Sequence, residues 1–382
     1  MEKYAVGIAR CDEYSPEGTA EAVRLAVERA GGLPGSVGNS VLIKVNALAP
    51  AAPESAVTTH PQVLRGIIRE IRRTGGDEVK IKIADNPGYI YTDMTNLFRV
   101  TGMTEIAGME GVEIGPLSDF GTSLVGGDKL KVLTDARISV RYLDAPYCIN
   151  AAKLKTHVET EMSGCIKNIF GTSDTDTRKK AHRSTSHMRL AEAIVDLYSI
   201  RPPDFHVMDA IVGMEGDGPS HGNPRPLGWV LAGNNALAVD WVACTIMCYE
   251  DPMSINLIKA AAKRGIGPSG RSGITLEGAG WSDLPSPGFK HSSGAIRLLP
   301  TFLRGLAHGL VKISPGLAAG KCIRCGICKK VCPVDAIVDV RSYPSVDSKK
   351  CVRCLCCHEM CPTGAMEVRK NFFASLVSGP KE

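Results

Sequence analysis

The side chains with the most specific chemistry in this 382-residue chain are its cysteines. Five of the 14 are scattered (Cys11, Cys148, Cys165, Cys244, Cys248), and the other nine crowd between Cys322 and Cys361. There two segments repeat at an offset of 29 residues, CIRCGICKKVCPVDAI from Cys322 and CVRCLCCHEMCPTGAM from Cys351. Both contain C-x2-C-x2-C-x3-C-P. Three thiolates spaced in this way wrap one face of an iron–sulfur cubane, and the fourth, held rigid before proline, reaches across to a second one. Zinc sites take two CxxC pairs or mix in histidine, and neither explains two four-thiol runs that each end in Cys-Pro. With no signal-peptide core in Met1–Arg10, the crowding also argues against disulfides. Cys356 is a ninth thiol outside the ligand spacing, and Leu355 stands where the first run has Gly326. Cys356 reads as a buried bystander, with exchange for Cys357 as the alternative.

A second set of capable residues is spread over residues 1 to about 280. Lys44, Lys153, Lys155 and Lys167 suit a carboxylate or phosphate, although loop lysines are commonly just solvated. His157, between Thr156 and an acidic stretch, is a candidate general acid or metal ligand. Asp85 opens a D-N-P-G turn. Glu215 and Asp217 lie between glycines, where backbone can approach a ligand closely; a plain acidic turn is the alternative. Asp240 is the only charge in AVDWVACTIMC, on one helical face with Cys244 and Cys248. A buried carboxylate must be paired, hydrogen-bonded or protonated, so Asp240 either ties down a neighbouring loop or lines the site. The two cysteines beside it read as small core residues.

The elements that would position these residues alternate between strand-like runs and amphipathic helices. Val41–Val45, Val79–Ala84, Tyr147–Ile149, His206–Met208 and Trp229–Leu231 read as strands. Thr59-His60-Pro61 opens a helix whose apolar stripe is Val63, Leu64, Ile67, Ile68 and Ile71, and Gly75-Gly76 closes it. Further helices are expected over His187–Tyr198, Ala236–Cys248 and Ser254–Arg264. Such alternation implies an α/β fold with a largely parallel sheet, in which ligands bind at the carboxyl ends of strands. Four strand ends carry candidates. Lys44 is followed by Asn46; Asp85 by Asn86 and Gly88; Ile149 by Asn150 and a Lys153–His157 loop; and Met208 by Asp209 and a glycine-rich loop. Lys44, Asp85, His157 and Asp209 are therefore expected around one crevice. Neither G-x-G-x-x-G nor G-x4-GK[ST] occurs, which leaves a Rossmann or P-loop site unsupported.

Composition sets the outer bounds. Hydrophobic residues are 44% and charged residues 22%, the balance of a soluble globular protein, and no apolar run is long enough for a transmembrane segment. A cytoplasmic, anaerobic setting is expected. The formal charge of +5 falls close to neutrality once two oxidised clusters add about −2 each. The basic residues are also dispersed, so no nucleic-acid partner is expected. Pro285–Gly294 reads as a linker. Ile296–Ile313 reads as an amphipathic helix packed on the main domain, with a peripheral membrane helix as the alternative that Pro300, Gly305 and Gly309 weaken, and the tail Phe372–Val377 could dock likewise.

The cysteine runs resemble those of bacterial two-cluster ferredoxins. That resemblance implies two 4Fe–4S clusters, one held by Cys322, Cys325, Cys328 and Cys361 and the other by Cys351, Cys354, Cys357 and Cys332. Upstream, VLIKVN with APESAVTTHP, then ADNPG, AKLKTH…SGCIKNIFG, MDAIVGMEGDGP and LAGNNALAVDWVA look like the domain of unknown function 362 family, over roughly residues 1–275. Members of that family often end in such a ferredoxin module, and their name assigns no activity. The fold expected is an α/β, largely parallel sheet domain over 1–283. A linker with the amphipathic helix follows over 284–318, a small α+β two-cluster ferredoxin-like domain over 319–370, and a tail. The function expected is an iron–sulfur oxidoreductase passing electrons to a small anionic substrate. His157, Asp240 and Glu215 would be catalytic, and Lys44, Asp85, Lys153, Lys155 and Lys167 would bind that substrate. A redox partner protein (ferredoxin, flavodoxin or an enzyme subunit) is expected to exchange electrons with it. The alternatives are an electron-transfer subunit that docks a partner enzyme, and a binding or maturation protein with structural clusters.

Overall fold

The computed structural model describes residues 3–35, 37–88, 91–184, 186–292, 313–340 and 343–371. The first strands in chain order are β1 (Tyr4–Arg10), β2 (Ser40–Lys44), β3 (Lys80–Asp85), β4 (Glu113–Pro116), β5 (Thr122–Gly126) and β6 (Asp135–Ser139). They are followed by β7 (Tyr147–His157), β8 (Glu161–Ser163), β9 (Phe205–Glu215), β10 (Asn223–Gly233) and β11 (Ile274–Glu277). One sheet runs β11-β1-β10-β9-β7-β2-β3-β4, with β8 beside the end of β7, while β5 and β6 form a separate hairpin. Along that order every pair is parallel except those made by β10, which is antiparallel to β1 and β9. The architecture is α/β with a largely parallel sheet.

Alternation along the strands feeds two cores, one on each face. Leu42, Cys148, Ala152, Leu154, Met208, Ala210 and Leu231 pack on one side with the helices His187–Ile200, Ala236–Ile246 and Asn256–Lys263. Val41, Ile43, Ile149, Ala151, Phe205, Val207 and Val230 pack on the other with Pro16–Arg29 and Pro61–Gly75. The latter helix starts where expected: His60 accepts a hydrogen bond from Gln62 N, and Pro61 occupies its first turn.

Two strands run farther than their apolar residues suggested. β7 extends through His157 and β9 through Glu215, so Lys153, Lys155 and His157 sit on a strand rather than in a loop. The reason is pairing. Lys153 lies opposite Asp209 in the β7–β9 register, and their ion pair lets charged residues continue inside the sheet. Residues 284–292 also differ from a free linker, because Leu284, Phe289 and Ser292 are buried against the α/β domain. The expected helix over 296–313, apart from its last residue, and the expected docking of Phe372–Val377 lie outside the described residues.

The C-terminal unit adds β12 (Ile313–Leu317), β13 (Ile337–Val340), β14 (Tyr343–Val346) and β15 (Met366–Lys370), paired antiparallel as β12–β15 and β13–β14. Its halves are internal copies. The one-turn helices Ile327–Lys330 and Cys356–Glu359 are offset by the sequence repeat. So are the left-handed positions Arg324 and Arg353 (φ 57° and 60°) and Asp335 and Gly364 (50° and 63°). Gly326 and Leu355 occupy the same left-handed site, φ 72° and 54°. The leucine pays an αL strain that glycine avoids. The unit is docked on the carboxyl ends of the strands: His221 Nε2 lies 3.0 Å from His358 O, and Arg183 Nε donates to Pro333 O at 3.3 Å. At Gly88 a Cβ would lie 2.5 Å from Met360 Sδ, so a larger residue there would make the Met360 side chain shift.

Candidate functional site

A cavity of about 80 Å³ opens where β2, β3 and β7 end against the C-terminal unit. Lys44, Asp85, Lys155, His157, Lys167 and Arg178 line it from the α/β side; Cys356, Glu359 and Met360 close it from the helix between the ligand-spaced cysteines. Its rear wall is a polar lattice. Lys44 Nζ lies 2.7 Å from Asp85 Oδ1 and donates to Val45 O. Asp85 Oδ2 accepts from Ala47 N at 2.7 Å. Asn168 Nδ2 donates to Asn150 Oδ1 at 2.7 Å, and its Oδ1 accepts from Asn46 Nδ2 at 3.0 Å. Gly171 fits this lattice because a Cβ there would stand 2.5 Å from Asp85 Oδ1.

Burial shifts the protonation of several cavity groups. Lys155 is fully buried and donates to Asn46 Oδ1 (3.0 Å) and Val57 O (2.7 Å). Burial brings its ammonium down to about 7; Glu359 opposes that and Lys167 and Lys153 reinforce it. His157 is held well below the usual imidazole range, first by burial and then by Lys167, His182 and Lys155. Its Nδ1 accepts from Glu159 N (3.1 Å) and Thr160 N (3.3 Å), which leaves the proton on Nε2. That atom has no hydrogen-bond partner and lies 3.8 Å from Glu359 Oε2. His157 is thus a neutral N–H donor aimed at the cavity, which corrects the expectation of a general acid: protonating Nδ1 would turn it against two backbone N–H groups. His182, 3.1 Å from Glu159, is held above its usual value by that carboxylate despite burial.

The remaining expected residues do not reach the cavity. Lys153 and Asp209 form a fully buried pair at 2.8 Å, joined by Tyr14 OH (2.8 Å to each) and by His60 N. They lie on the core face opposite Lys44, where their partner Tyr14 packs, and neither lines the cavity. The four-residue crevice expected for Lys44, Asp85, His157 and Asp209 therefore holds only the first three. Glu215 accepts from Lys290 N and pins residues 284–292. Asp240 accepts from Cys165 N (2.6 Å) and Ile166 N (3.1 Å), so it ties the start of the helix Cys165–Asn168 instead of lining the site. Burial raises it to about 7 against those two donors. Conversely, Arg178, His182, Cys356 and Glu359 line the cavity and were not singled out as site residues. For Arg178 and His182 the only signal was the basic run RKKAH.

The cysteines form the second half of the site. A cavity of about 300 Å³ is lined by Cys322, Cys325, Cys328 and Cys361, three thiols of the first run and the last of the second. Cys332 and Cys361 each accept a backbone N–H four residues on, from Ala336 (3.1 Å) and Ala365 (3.2 Å), as thiolate ligands do. Burial pushes the Cys357 thiol up, as do nearby Cys354, Cys351, Cys328 and Cys332. Among the described residues no three His, Cys, Asp or Glu side chains converge as a single metal ion requires. A cubane takes one thiolate on each of four irons, and thiols spread around an open space fit that larger group.

The family comparison agrees. Residues 41–245, just over half of the chain, match the model of the Domain of unknown function (DUF362). The chain belongs to the DUF362 family. Residues 318–338 and 344–367 match the 4Fe-4S binding domain, so this DUF362 member is an iron–sulfur protein with a domain of the electron-transferring ferredoxin type. It is similar to the thylakoid-associated protein sll1697 of Synechocystis, 27% identical over 275 residues, 69% of this chain and 81% of that protein. Among solved structures it is similar to the lactate racemase apoprotein of Thermoanaerobacterium thermosaccharolyticum (TM-score 0.45, 11% identity, 63% of this chain). A Thermotoga maritima protein is also similar (TM-score 0.38, 13% identity, 59% of this chain). The chain spans 56% of the length of each of these two structures. Among the described residues no helix is long and apolar enough to cross a membrane.

Proposed function

We propose that this DUF362 protein is an oxidoreductase that reduces or oxidises a small anion in the cavity between its two units, using two 4Fe–4S clusters. The observation that carries this reading is the shared wall. Cys356, Glu359 and Met360, from within the second cysteine run, face Lys155, His157, Lys167 and Arg178 across one space. Cys322, Cys325, Cys328 and Cys361 would hold one cluster and Cys351, Cys354, Cys357 and Cys332 the other, and such clusters would supply electrons one at a time.

The protein side chains divide the remaining work. Lys167 and Arg178 add positive charge to a lining whose acids are Asp85, matched by Lys44, and Glu359. His157 Nε2–H donates to an anionic oxygen without being charged itself. Lys155, titrating near neutral pH, exchanges a proton with the bound anion at Nζ. Size restricts the ligand. The cavity is smaller than the roughly 150 Å³ that accommodates benzene, so a ligand of a few heavy atoms fits and a nucleotide does not.

Sulfate and acetate are suitable probes. Calorimetry on anaerobic protein should show one site per chain, weakened at least tenfold by Lys167→Met with Lys155→Met. Equal binding to the variant, or none to the parent, would remove the anion site and favour a carrier that only docks a partner enzyme.

A further inference from the structure

The two sets of cluster-spaced thiols are not equivalent in their surroundings. Cys354 and Cys357 are buried, whereas Cys325, in the first set, is exposed, alone among the 14 cysteines. Next to it Ile323 is 64% exposed, the highest value among the large apolar side chains described as exposed. Lys321, Arg324, Lys329 and Lys330 are exposed around it, and residues 313–334 contain no Asp or Glu. Lys321 is paired with Glu367 at 2.9 Å, and Arg324 lies over the Tyr343 ring, 4.6 Å from its centroid. Ile323 and Arg324 line the cavity that holds Cys322, Cys325, Cys328 and Cys361. Lys321, Lys329 and Lys330 are exposed within a few residues of them in the chain, with Asp335 the next acid along. This face therefore presents an apolar contact beside an excess of positive charge.

We infer that this face is the docking surface for a small protein whose one-electron cofactor is surrounded by acidic side chains, and that electrons enter or leave the chain here. Charge complementarity selects the partner: a basic face steers an acidic surface and repels a basic one. The small apolar contact suits the short-lived encounters of redox proteins, which bury little area. In the forward direction one electron leaves the partner's reduced cofactor and arrives on the cluster held by these four thiols, with no bond broken and no proton required. The inference needs that cluster to be present, which iron analysis checks separately, but it does not rest on the anion cavity.

The test uses the anaerobic holoprotein and an acidic 2Fe–2S ferredoxin, reduced and freed of reductant, mixed by stopped flow. The transfer rate should fall at least tenfold between about 0.02 and 0.3 M salt, as screening shortens the Debye length. Arg324→Gln with Lys330→Glu should lower the low-salt rate a further tenfold and weaken the line broadening of ferredoxin amide resonances. Iron content and dithionite reduction should be unchanged. A rate indifferent to salt and to the substitutions would overturn the proposal, as would equal rates with basic cytochrome c as acceptor. If the double variant loses iron, Lys330→Glu alone decides by the same rate and line-broadening measurements.

Discussion

Lys155→Met isolates the group on which the cavity chemistry turns. The drop from an ordinary 10.5 to about 7 corresponds to roughly 5 kcal/mol of disfavour for the buried ammonium. Between about pH 7 and 10.5 the unfolded chain holds this proton and the folded chain does not, so Lys155 makes stability rise with pH across that window. A bound anion reverses the preference, because it stabilises the ammonium. Sulfate and acetate keep constant charge from pH 6 to 9, so their affinity should be flat below about pH 7 and fall up to tenfold per unit above it. Binding at pH 8.5 should take up a proton, visible by calorimetry in buffers of different ionisation enthalpy. In Lys155→Met the affinity at pH 6 should drop roughly 10- to 100-fold, the worth of a charge-assisted hydrogen bond. The slope above pH 7 should disappear, which separates Lys155 from His182 as its source. Equal affinity at pH 6 and 9 in the parent, or the same slope in the variant, would refute the assignment.

Three further outcomes test other parts of the structure. Lys153→Met should destabilise the protein by roughly 3–5 kcal/mol, because it strands the fully buried Asp209 carboxylate; a urea midpoint close to the parent's would contradict the pairing. Gly171→Ala should weaken the Lys44–Asp85 lattice, at about 1–3 kcal/mol, and reduce anion binding, whereas an unchanged crystal structure and affinity would show that the close approach is unimportant. Cys356→Ser should leave about eight irons per chain while Cys325→Ser removes about half; iron loss in Cys356→Ser would make that thiol a ligand.

The fold class and the cysteine sites were legible because each rests on a local pattern: strand–helix alternation, and a ligand spacing written twice. Leu355 marked its own irregularity, since a leucine stands where the copy has Gly326. The candidate crevice was only half legible. Lys44, Asp85, Lys155 and His157 follow from strand ends, but which face each side chain takes depends on how far β7 and β9 continue. That is decided by the Lys153–Asp209 pair, made between residues 56 positions apart. Cys356 and Glu359 were invisible as cavity residues because their role arises from docking of one unit on the other. Asp240 showed its buried charge in the sequence, yet its partners are backbone N–H groups, which no residue pattern announces.

The central claim is that a small anion sits within reach of the cluster held by the second cysteine run. Electron–nuclear double resonance of the dithionite-reduced protein with carboxyl-¹³C acetate measures that proximity. The account predicts a ¹³C coupling to a reduced cluster that is lost in Lys155→Met with Lys167→Met, while the cluster signal itself persists. Acetate that binds without any ¹³C coupling, or a coupling that survives in the variant, would contradict it.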